Sequence, residues 1–338
     1  VMAAFLCGEL LKSRGSWGII MVFRCLRKSN VFRKKCNCYR CAMLKSIPAK
    51  TILSGYAEHN SWFGANYNMN LYKGCSHGCI YCDSRSDCYQ IKNFDAVRVK
   101  ENALEILERE LKSKRRTGVV ASGSMTDPYN PFEKQAQVTR GALTLINKYF
   151  FGAATVTKSA LVTRDIDLFS AIQQHSPVLV KITVTTPHDS LSRLIEPRAS
   201  ASSERLDALA RLAEKGVRCC ALMTPVLPFI EDGEEDIKLL VKRVYETGVK
   251  MIYGDFGVTL RMNQRDYFYE KLDKYFPGIK QKYIYAFGES YVCQSPNYGK
   301  LKRLFAAECE KYGLIYKMPD IISFYRKGYY EENQLTFF

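Results

Sequence analysis

Three cysteines spaced as Cys75-x3-Cys79-x2-Cys82 are the residues whose types and spacing could most clearly do chemistry. Cubane iron–sulfur clusters are held by cysteine thiolates, usually four, with one thiolate on each iron. This loop supplies three, and Gly74 and Gly78 would let its backbone pass close to a bulky inorganic ion. One iron would keep an open coordination position, which is typical of a catalytic metal and not of a structural one. The spacing predicts a [4Fe-4S] cluster that binds a further ligand.

The elements that must position this loop are predicted by an alternation of amphipathic helices and short apolar strands. Helical periodicity, followed each time by an apolar strand, occurs at 101–116, 203–216 and 234–248. Further strands are predicted at 68–74, 152–159 and 177–186. This alternation indicates parallel strands with crossover helices. We therefore expect an α/β fold, a partial (β/α)6 TIM-like barrel of about six strands.

The predicted strands end in residues that are small, hydroxyl-bearing or charged, whereas their interiors are apolar. In chain order these ends are Gly74-Cys75, 123–127, Lys158-Ser159, 183–186, Thr224-Pro225 and Asp255. In barrels of this kind the chemistry lies at the carboxyl ends of the strands. Because the cysteine loop follows the first predicted strand, we expect it at the mouth of the barrel.

A structural zinc site is the alternative for the same loop, with His77 or Cys88 as the fourth ligand. Zinc accepts such mixed ligand sets, so the spacing alone leaves this alternative open. We favour the cluster because a structural site would not require polar strand ends around it.

Composition limits the other classes of protein. A chain of 338 residues that is 47% hydrophobic and 25% charged is long enough to bury a large core, so a globular protein is expected. No apolar run approaches the ~18 residues of a membrane span, and we expect no membrane association. The 13 cysteines are scattered unevenly, and some lie in apolar, strand-like runs. This usage favours a reducing, cytoplasmic compartment.

Half of the positive charge lies in the first segment of the chain. The net charge is +16, and residues 1–42 hold nine Lys or Arg against Glu9 as the single acid. The rest of the chain is mildly basic, which is compatible with a polyanionic partner without requiring one. The segment also contains Cys36, Cys38 and Cys41. It could be a small metal-binding or nucleic-acid-binding arm, but we expect a disordered extension.

The chain divides into four parts on these criteria: the basic extension 1–42, the partial barrel 43–265, a C-terminal extension 266–330 and a tail 331–338. The third part is rich in Tyr and Phe. It could present an aromatic surface on which unpaired bases stack. Helical spacing favours helices that cover the open side of the barrel, as shown by Tyr267, Leu272, Tyr275 and Phe276.

The loop Cys75-x3-Cys79-x-Tyr81-Cys82, after the first strand of an α/β barrel, resembles the radical S-adenosylmethionine (SAM) superfamily over about residues 50 to 330. Within that superfamily, four segments of this chain resemble the spore photoproduct lyase-like branch: 68–90, 123–133, 156–168 and 195–209. The resemblance implies that the open iron chelates SAM. It also implies that an electron, from a flavodoxin-type or ferredoxin-type donor, cleaves SAM to methionine and a 5′-deoxyadenosyl radical. That radical would abstract hydrogen from a substrate, for which DNA or a nucleotide lesion is the implied candidate.

The same resemblance implies contacts to SAM from Thr126, Lys158 and Thr183. A lysine can neutralise the SAM carboxylate, and hydroxyl groups can bond to it or to the ribose. Weaker candidates, which could instead pair with one another across a turn, are Glu196, Arg198 and Arg205.

Two departures from the lyase pattern concern its radical relay. The lyase has a hydrogen-donor cysteine where this chain has Ser124, and an O–H bond is too strong to replace a thiol in that role. The lyase also has a tyrosine after its third cluster cysteine, where this chain has Asp83. Tyr81 is therefore left as the catalytic candidate. Cys88 or Cys293 could substitute for the thiol, although a buried structural thiol is the favoured interpretation of each.

The tail Gln334–Phe338, "QLTFF", resembles the short peptide by which bacterial proteins bind the DNA sliding clamp. Gln334 offers an amide for hydrogen bonding, and Leu335, Phe337 and Phe338 are apolar anchors. The alternative is that the tail packs into its own barrel.

The sequence as a whole predicts a cytoplasmic, lyase-like radical SAM enzyme that its tail would recruit to DNA. Two alternatives stay open: a zinc-stabilised nucleic-acid-binding protein and a tRNA-modifying radical SAM enzyme.

Overall fold

A computed structural model describes residues 44–56 and 62–329. The predictions for the extension 1–42 with its three cysteines, and for the clamp-like peptide Gln334–Phe338, lie outside the described residues.

A seven-stranded sheet organises the described part of the chain. The strands, in chain order, are β1 (Lys45–Ile47), β2 (Leu53–Gly55), β3 (Tyr67–Met69), β4 (Tyr72–Lys73), β5 (Arg98–Lys100), β6 (Val119–Ser122), β7 (Gly152–Thr157), β8 (Val178–Thr183), β9 (Cys219–Met223), β10 (Met251–Gly254), β11 (Gly257–Thr259) and β12 (Val292–Gln294). The main sheet has the order β10-β9-β8-β7-β6-β3-β2. Its six strands from β3 to β10 are parallel, and β2 is antiparallel at the edge. The edge strands β2 and β10 do not pair with each other, so the predicted partial barrel is confirmed.

Crossover helices cover the outer face of this sheet. The helices are α1 (Ala103–Ser113), α2 (Glu133–Ala136), α3 (Val138–Lys148), α4 (Ile166–Gln173), α5 (Asp189–Ile195), α6 (Ser202–Glu214), α7 (Glu234–Glu246), α8 (Gln264–Tyr275), α9 (Ile279–Phe287), α10 (Tyr298–Lys311) and α11 (Met318–Arg326). Each crossover helix buries one apolar stripe, as α6 does with Leu206, Leu209 and Leu212. The strands between them are apolar because both of their faces are covered. No described helix is both long and apolar enough to cross a membrane.

The inner face of the sheet is filled by two segments distant in sequence. The 3₁₀ turn Trp62–Gly64 places Phe63 there, and α11 adds Ile321 and Tyr325. Tyr325 Oη donates a hydrogen bond of 2.7 Å to the carbonyl of Phe63. The inside of the partial barrel is therefore a packed core away from the strand ends.

The predicted first strand, 68–74, is wrong in its extent. β3 ends at Met69, and β4 belongs to a separate three-stranded sheet of order β1-β5-β4. The chain leaves the main sheet because β4 pairs antiparallel with β5, and Lys100 N also donates to the carbonyl of Leu71 at 3.0 Å. The cysteine loop therefore follows the small sheet, and not directly the first strand of the barrel.

Candidate active site

A cavity of about 330 Å³ brings together residues from the cysteine loop and from the carboxyl ends of the barrel strands. Cys75, Cys79 and Cys82 all line it, and so do Thr126, after β6, and Lys158, after β7. The other polar lining residues include His77, Tyr81, Ser124, Asp127, Asp255, Thr259 and Gln294. Five of the six residues predicted to bind a cluster or SAM thus share one cavity.

Thr183 is the exception among the predicted SAM contacts. It is the last residue of β8 and is buried, but it does not line the cavity. Its carbonyl oxygen accepts a hydrogen bond of 2.8 Å from Arg205 Nη1. In this structure Thr183 supports the ion-pair group beside the cavity.

The two glycines of the loop are required by contacts within the protein. Gly74 has φ +82°, and a Cβ atom there would lie 2.5 Å from the carbonyl oxygen of Phe94. Gly78 has φ +76°, and a Cβ atom there would lie 3.1 Å from the Arg198 guanidinium. Both backbone angles favour glycine, and protein atoms fill the space beside each residue. Contacts within the protein thus require glycine at both positions, and room for an inorganic ion stays a prediction.

A second hydrophobic cluster packs against the cysteine loop. Ile80 and Tyr81 pack in it against Phe268 of α8 and Tyr283 of α9. Ile80 N also donates to the carbonyl of Ile195 at 2.9 Å, which ties the loop to the end of α5. The C-terminal helices therefore support the cysteine loop directly.

Tyr81 is oriented by a buried ion pair. Its hydroxyl donates a hydrogen bond to Glu196 Oε1, and Arg205 donates to Glu196 Oε2. Burial alone raises the pKa of Glu196, but Arg205 and Lys158 outweigh burial and hold that pKa below its ordinary value. Glu196 is therefore an anion that fixes the Tyr81 ring on one side of the cavity.

Of the three weaker candidates for the site, two pair with each other as expected and Arg198 does not. Glu196 and Arg205 form the buried ion pair, whereas Arg198 binds Asp95 at 3.0 Å. The Arg198 side chain also donates to the carbonyl of Ser76, and its backbone N donates to the carbonyl of His77 at 2.9 Å. Arg198 thus anchors the cysteine loop from outside the cavity.

Lys158 provides the cation of the site. Its Nζ lies 5.6 Å from the centroid of the Tyr81 ring. Burial by itself lowers the pKa of Lys158, but Cys79 and Glu196 more than offset burial, so that the pKa is raised above its ordinary value. The ammonium group is therefore charged and suited to a carboxylate ligand.

Thr126 and His77 carry buried polar atoms that await a partner. Thr126 Oγ1 and both ring nitrogens of His77 form no hydrogen bond with any described residue. His77 Nε2 lies 3.8 Å from Asp127 Oδ2, beyond hydrogen-bond distance. Buried polar groups are normally hydrogen-bonded, so unsatisfied atoms at a cavity wall are suited to a polar ligand.

Asp127 connects the ends of β6 and β7. Its Oδ1 accepts hydrogen bonds from Thr157 Oγ1 at 2.7 Å and from Tyr129 N at 2.8 Å. Its Oδ2 accepts from Lys158 N at 2.8 Å. The sequence marked Asp127 only as part of a polar strand end. Its side chain in fact fixes the backbone that presents both Thr126 and Lys158.

The donor set fits an iron–sulfur cluster. Burial raises the pKa of all three thiols, that of Cys75 to about 12 with a contribution from Asp127, so ligation must displace their protons. Among the described residues, no three His, Cys, Asp or Glu side chains converge as the ligands of a single metal ion would. A four-iron cluster binds each thiolate through a different iron and does not need such convergence.

No fourth thiol lines the cavity among the described residues. Ser124 Oγ, at the position of the expected donor thiol, donates to Asn68 Oδ1 at 3.0 Å. Cys293 is buried as expected, but Cys88 is exposed, which corrects the prediction of a buried thiol. Asp83 accepts hydrogen bonds from Arg261 Nε at 2.9 Å and from Tyr89 Oη at 2.7 Å, so it has a structural role.

A two-stranded sheet that the sequence did not predict closes one side of the cavity. β11 and β12 pair antiparallel, with Val258 opposite Cys293. Thr259, Val292 and Gln294 of this small sheet line the cavity. Three-residue strands that are this far apart in the sequence give no periodicity or turn signal, so only the structure identifies them.

Comparisons with known proteins agree with this architecture. A family model described as the radical SAM superfamily matches residues 69–241, just over half of the chain. An uncharacterized protein of Methanocaldococcus jannaschii is 35% identical over 174 residues, which are 51% of this chain and 64% of that protein. An uncharacterized protein of Mycobacterium tuberculosis is 29% identical over 224 residues, 64% of this chain and 66% of that protein. The chain therefore spans slightly less than two thirds of the length of either relative.

Solved structures of spore photoproduct lyase share the fold. The lyase complexed with dinucleoside spore photoproduct has a TM-score of 0.61 at 14% identity, over 81% of each chain. A variant with bound AdoMet and dinucleoside spore photoproduct has a TM-score of 0.56 at 15% identity, over 75% of this chain and 76% of that chain. The family match over the cysteine loop and the barrel implies a [4Fe-4S] cluster and SAM as cofactors. This chain belongs to the radical SAM superfamily of enzymes.

Proposed function

We propose that this enzyme uses reductive SAM cleavage to abstract hydrogen from a damaged or modified base of DNA, in a lyase-type reaction. One observation carries the proposal: three thiols, a charged lysine and an unsatisfied threonine hydroxyl line a single cavity at the strand ends. This set matches the needs of a site-differentiated cluster and of the amino acid part of SAM.

The residues of the cavity have separate roles in this proposal. Cys75, Cys79 and Cys82 hold the cluster, which when bound supplies the electron that cleaves SAM to methionine and a 5′-deoxyadenosyl radical. Lys158 donates a charge-assisted hydrogen bond to the SAM carboxylate, and Thr126 Oγ1 donates a second bond to SAM. Asp127 keeps both of these groups in position.

Tyr81 is the proposed catalytic side chain on the substrate side. Its hydroxyl is held by Glu196 and its ring lies beside the Lys158 ammonium. Because Ser124 stands where the related lyase has a donor thiol, we propose a substrate other than the spore thymine dimer. Repair of that dimer should be inefficient, and clean turnover on it would contradict this part of the proposal.

DNA as the substrate class is supported by two observations. The chain retains a positive charge outside its basic first segment. The lyase whose fold it shares has been solved with dinucleoside spore photoproduct bound. We propose a small flavodoxin-type or ferredoxin-type protein as the physiological electron donor.

The test is anaerobic reconstitution with iron and sulfide, followed by reduction with dithionite in the presence of SAM. We expect slow formation of 5′-deoxyadenosine without substrate, and faster formation with an oligonucleotide that carries the correct lesion. Bound iron and visible colour would distinguish the enzyme from a zinc protein. Absence of 5′-deoxyadenosine from fully reconstituted protein would falsify the proposal, and stimulation by tRNA but not by DNA would replace its substrate.

A further inference from the structure

A second cavity, of about 550 Å³, lies beside the edge strand β10 and is bounded by α10 and the start of α11. Its volume is within the range of ligand pockets. Four aromatic side chains line it: Tyr253, Tyr298, Phe305 and Tyr316. Phe305 and Tyr316 meet edge to face, with their ring centroids 6.0 Å apart. The C-terminal extension 266–330 therefore contributes three of these four rings, and β10 contributes Tyr253.

The cavity is also positively charged. Lys302, Arg303 and Lys317 line it and are exposed, and none of them forms a salt bridge or a side-chain hydrogen bond with another described residue. The one acid among the lining residues is Asp255, whose Oδ1 accepts a hydrogen bond of 3.3 Å from Tyr298 Oη. Lys302 Nζ lies 5.6 Å from the centroid of the Tyr298 ring, and Lys317 Nζ lies 5.7 Å from that of Tyr316. The three cations therefore lie beside the rings without an acidic partner among the described residues, which suits the wall to an anion.

Neighbouring lysines on the same helix behave differently. Lys300 pairs with Glu234, and Lys311 pairs with Glu308 at 3.2 Å. Both lie on α10, as do Lys302 and Arg303, but neither lines the cavity. The unpaired cations of α10 are thus those on the aromatic side, where the charge cannot be explained by local ion pairing.

The second cavity adjoins the candidate active site. Asp255, directly after β10, lines both cavities. A chain-like ligand seated in the second cavity could therefore place its next unit in the first. Aromatic rings that stack with bases, beside cations that contact phosphates, are the recurring features of proteins that bind single-stranded nucleic acid.

We propose that this aromatic and basic cavity binds the DNA strand next to the reacting nucleotide. An unpaired base stacks on Tyr316 or Tyr298, and Lys302, Arg303 and Lys317 contact the flanking phosphates. The inference rests on the proposed function, because it names where that substrate is held outside the radical site.

The test is fluorescence anisotropy with a 5′-labelled 12-nucleotide oligo(dT), under anaerobic conditions, on the full reconstituted chain at several KCl concentrations. The variant Lys302→Ala/Arg303→Ala should bind at least about tenfold more weakly. Its slope of log affinity against log salt should be smaller by about 1.4, which corresponds to two lost phosphate contacts on a single strand. The matched control Lys300→Ala/Lys311→Ala removes the same charge from the same helix and should stay within about twofold of wild type.

A second pair of variants tests the stacking. Tyr316→Leu should weaken binding by about five- to 150-fold, because one base loses its aromatic partner, whereas Tyr316→Phe should retain most of the affinity. Melting temperatures of all variants, followed by circular dichroism, check that each is folded.

Four results would overturn the inference. The first two are an equal loss of oligonucleotide affinity in the two double variants, and displacement of the oligonucleotide by millimolar dTMP. The other two are tighter binding of oligo(U) than of oligo(dT), and binding that appears only when residues 330–338 are removed. The last result would show that the tail fills the cavity. Binding is measured apart from SAM cleavage, so the two failures are distinguishable. Failure to form 5′-deoxyadenosine would contradict the proposed function, whereas normal SAM cleavage without oligonucleotide binding would contradict this inference alone.

Discussion

Replacing any one of the three loop cysteines has the most direct consequence at the scale of single residues. We expect Cys75→Ala, Cys79→Ala and Cys82→Ala each to abolish the visible absorbance of the reconstituted cluster, because a cubane cluster with only two protein thiolates is poorly held. Cys88→Ala is the matched control, since Cys88 is exposed and lies six residues from the loop without lining the cavity. Full iron content in any of the first three variants would remove that residue from the cluster site.

Lys158 is expected to contribute affinity for SAM. A hydrogen bond to a charged group is typically worth about 1.5–3 kcal/mol, so Lys158→Ala should weaken SAM binding by about ten- to a hundredfold. Equilibrium dialysis with the reconstituted protein measures this. Lys158→Arg, which keeps the charge, should lose less, and unchanged affinity in Lys158→Ala would exclude the contact.

The buried carboxyl group of Glu231 should make the stability of the protein depend on pH. It is buried in the segment after β9, where Leu227 N donates to its Oε2 at 3.1 Å while Oε1 has no partner among the described residues. Burial raises its pKa to about 8, the nearby Thr185 hydroxyl acts against this, and the charge of Glu196 adds to it. The fold thus holds a proton that the unfolded chain has already lost above its ordinary pKa.

The sign of the effect follows from that difference. The stabilising contribution is fully present below the ordinary pKa of a glutamate, about 4.3, and is lost as pH rises toward about 8. Urea unfolding at pH 5, 7 and 9 should show the wild type losing stability relative to Glu231→Gln by up to a few kcal/mol, at about 1.4 kcal/mol for each unit of raised pKa. A constant difference between the two proteins would mean that Glu231 is not buried as an acid.

At the scale of elements, the turn at Gly74 should make the stability of the protein sensitive to a change of this glycine to alanine. Gly74→Ala forces an alanine to φ +82° and places its Cβ 2.5 Å from a carbonyl oxygen. Gly216→Ala is the matched control, because Gly216 has φ +69° but no atom within 4 Å of the added Cβ. Backbone strain alone costs about 1–3 kcal/mol, so the control should lose about that much and Gly74→Ala distinctly more. Denaturant unfolding and cluster content measure the two effects, and equal losses would show that the contact is relieved without cost.

The elements that the sequence predicted well are those with a repeating pattern. β8 and α6 are long enough for burial to impose a run of apolar residues or a 3.6-residue period, and both lie where expected. The break between β3 and β4, and the pairing of β11 with β12, depend on hydrogen bonds between short segments that carry no period. The three site thiols were found because their spacing is local. The role of Asp127, which joins two strands 30 residues apart, required the structure.

At the scale of the whole molecule, a further prediction concerns recruitment of the protein to DNA by its tail, residues 331–338. We propose that Gln334–Phe338, which lie outside the described residues, bind a bacterial sliding clamp. Three apolar anchors contribute about 1.5–3 kcal/mol each, and ordering a free tail costs about 2–5 kcal/mol. With the hydrogen bonds of the peptide added, the expected affinity is only micromolar to millimolar. A peptide of the last ten residues should bind the clamp weakly in a calorimetric or anisotropy titration, and Leu335→Ala with Phe338→Ala should erase the binding. A large drop in the melting temperature of the full chain with the same two changes would instead make the tail part of its core.

The cluster that joins Ile80 and Tyr81 to Phe268 and Tyr283 also sets an order of events during synthesis. The ribosome makes the cysteine loop about 180 residues before the helices that pack beneath it. At about 5–20 residues per second, the three thiols wait roughly 10–40 seconds without that support. Iron and sulfide delivered in this interval would meet a nascent loop that is still uncovered, whereas later delivery would have to enter through the cavity of the mature enzyme.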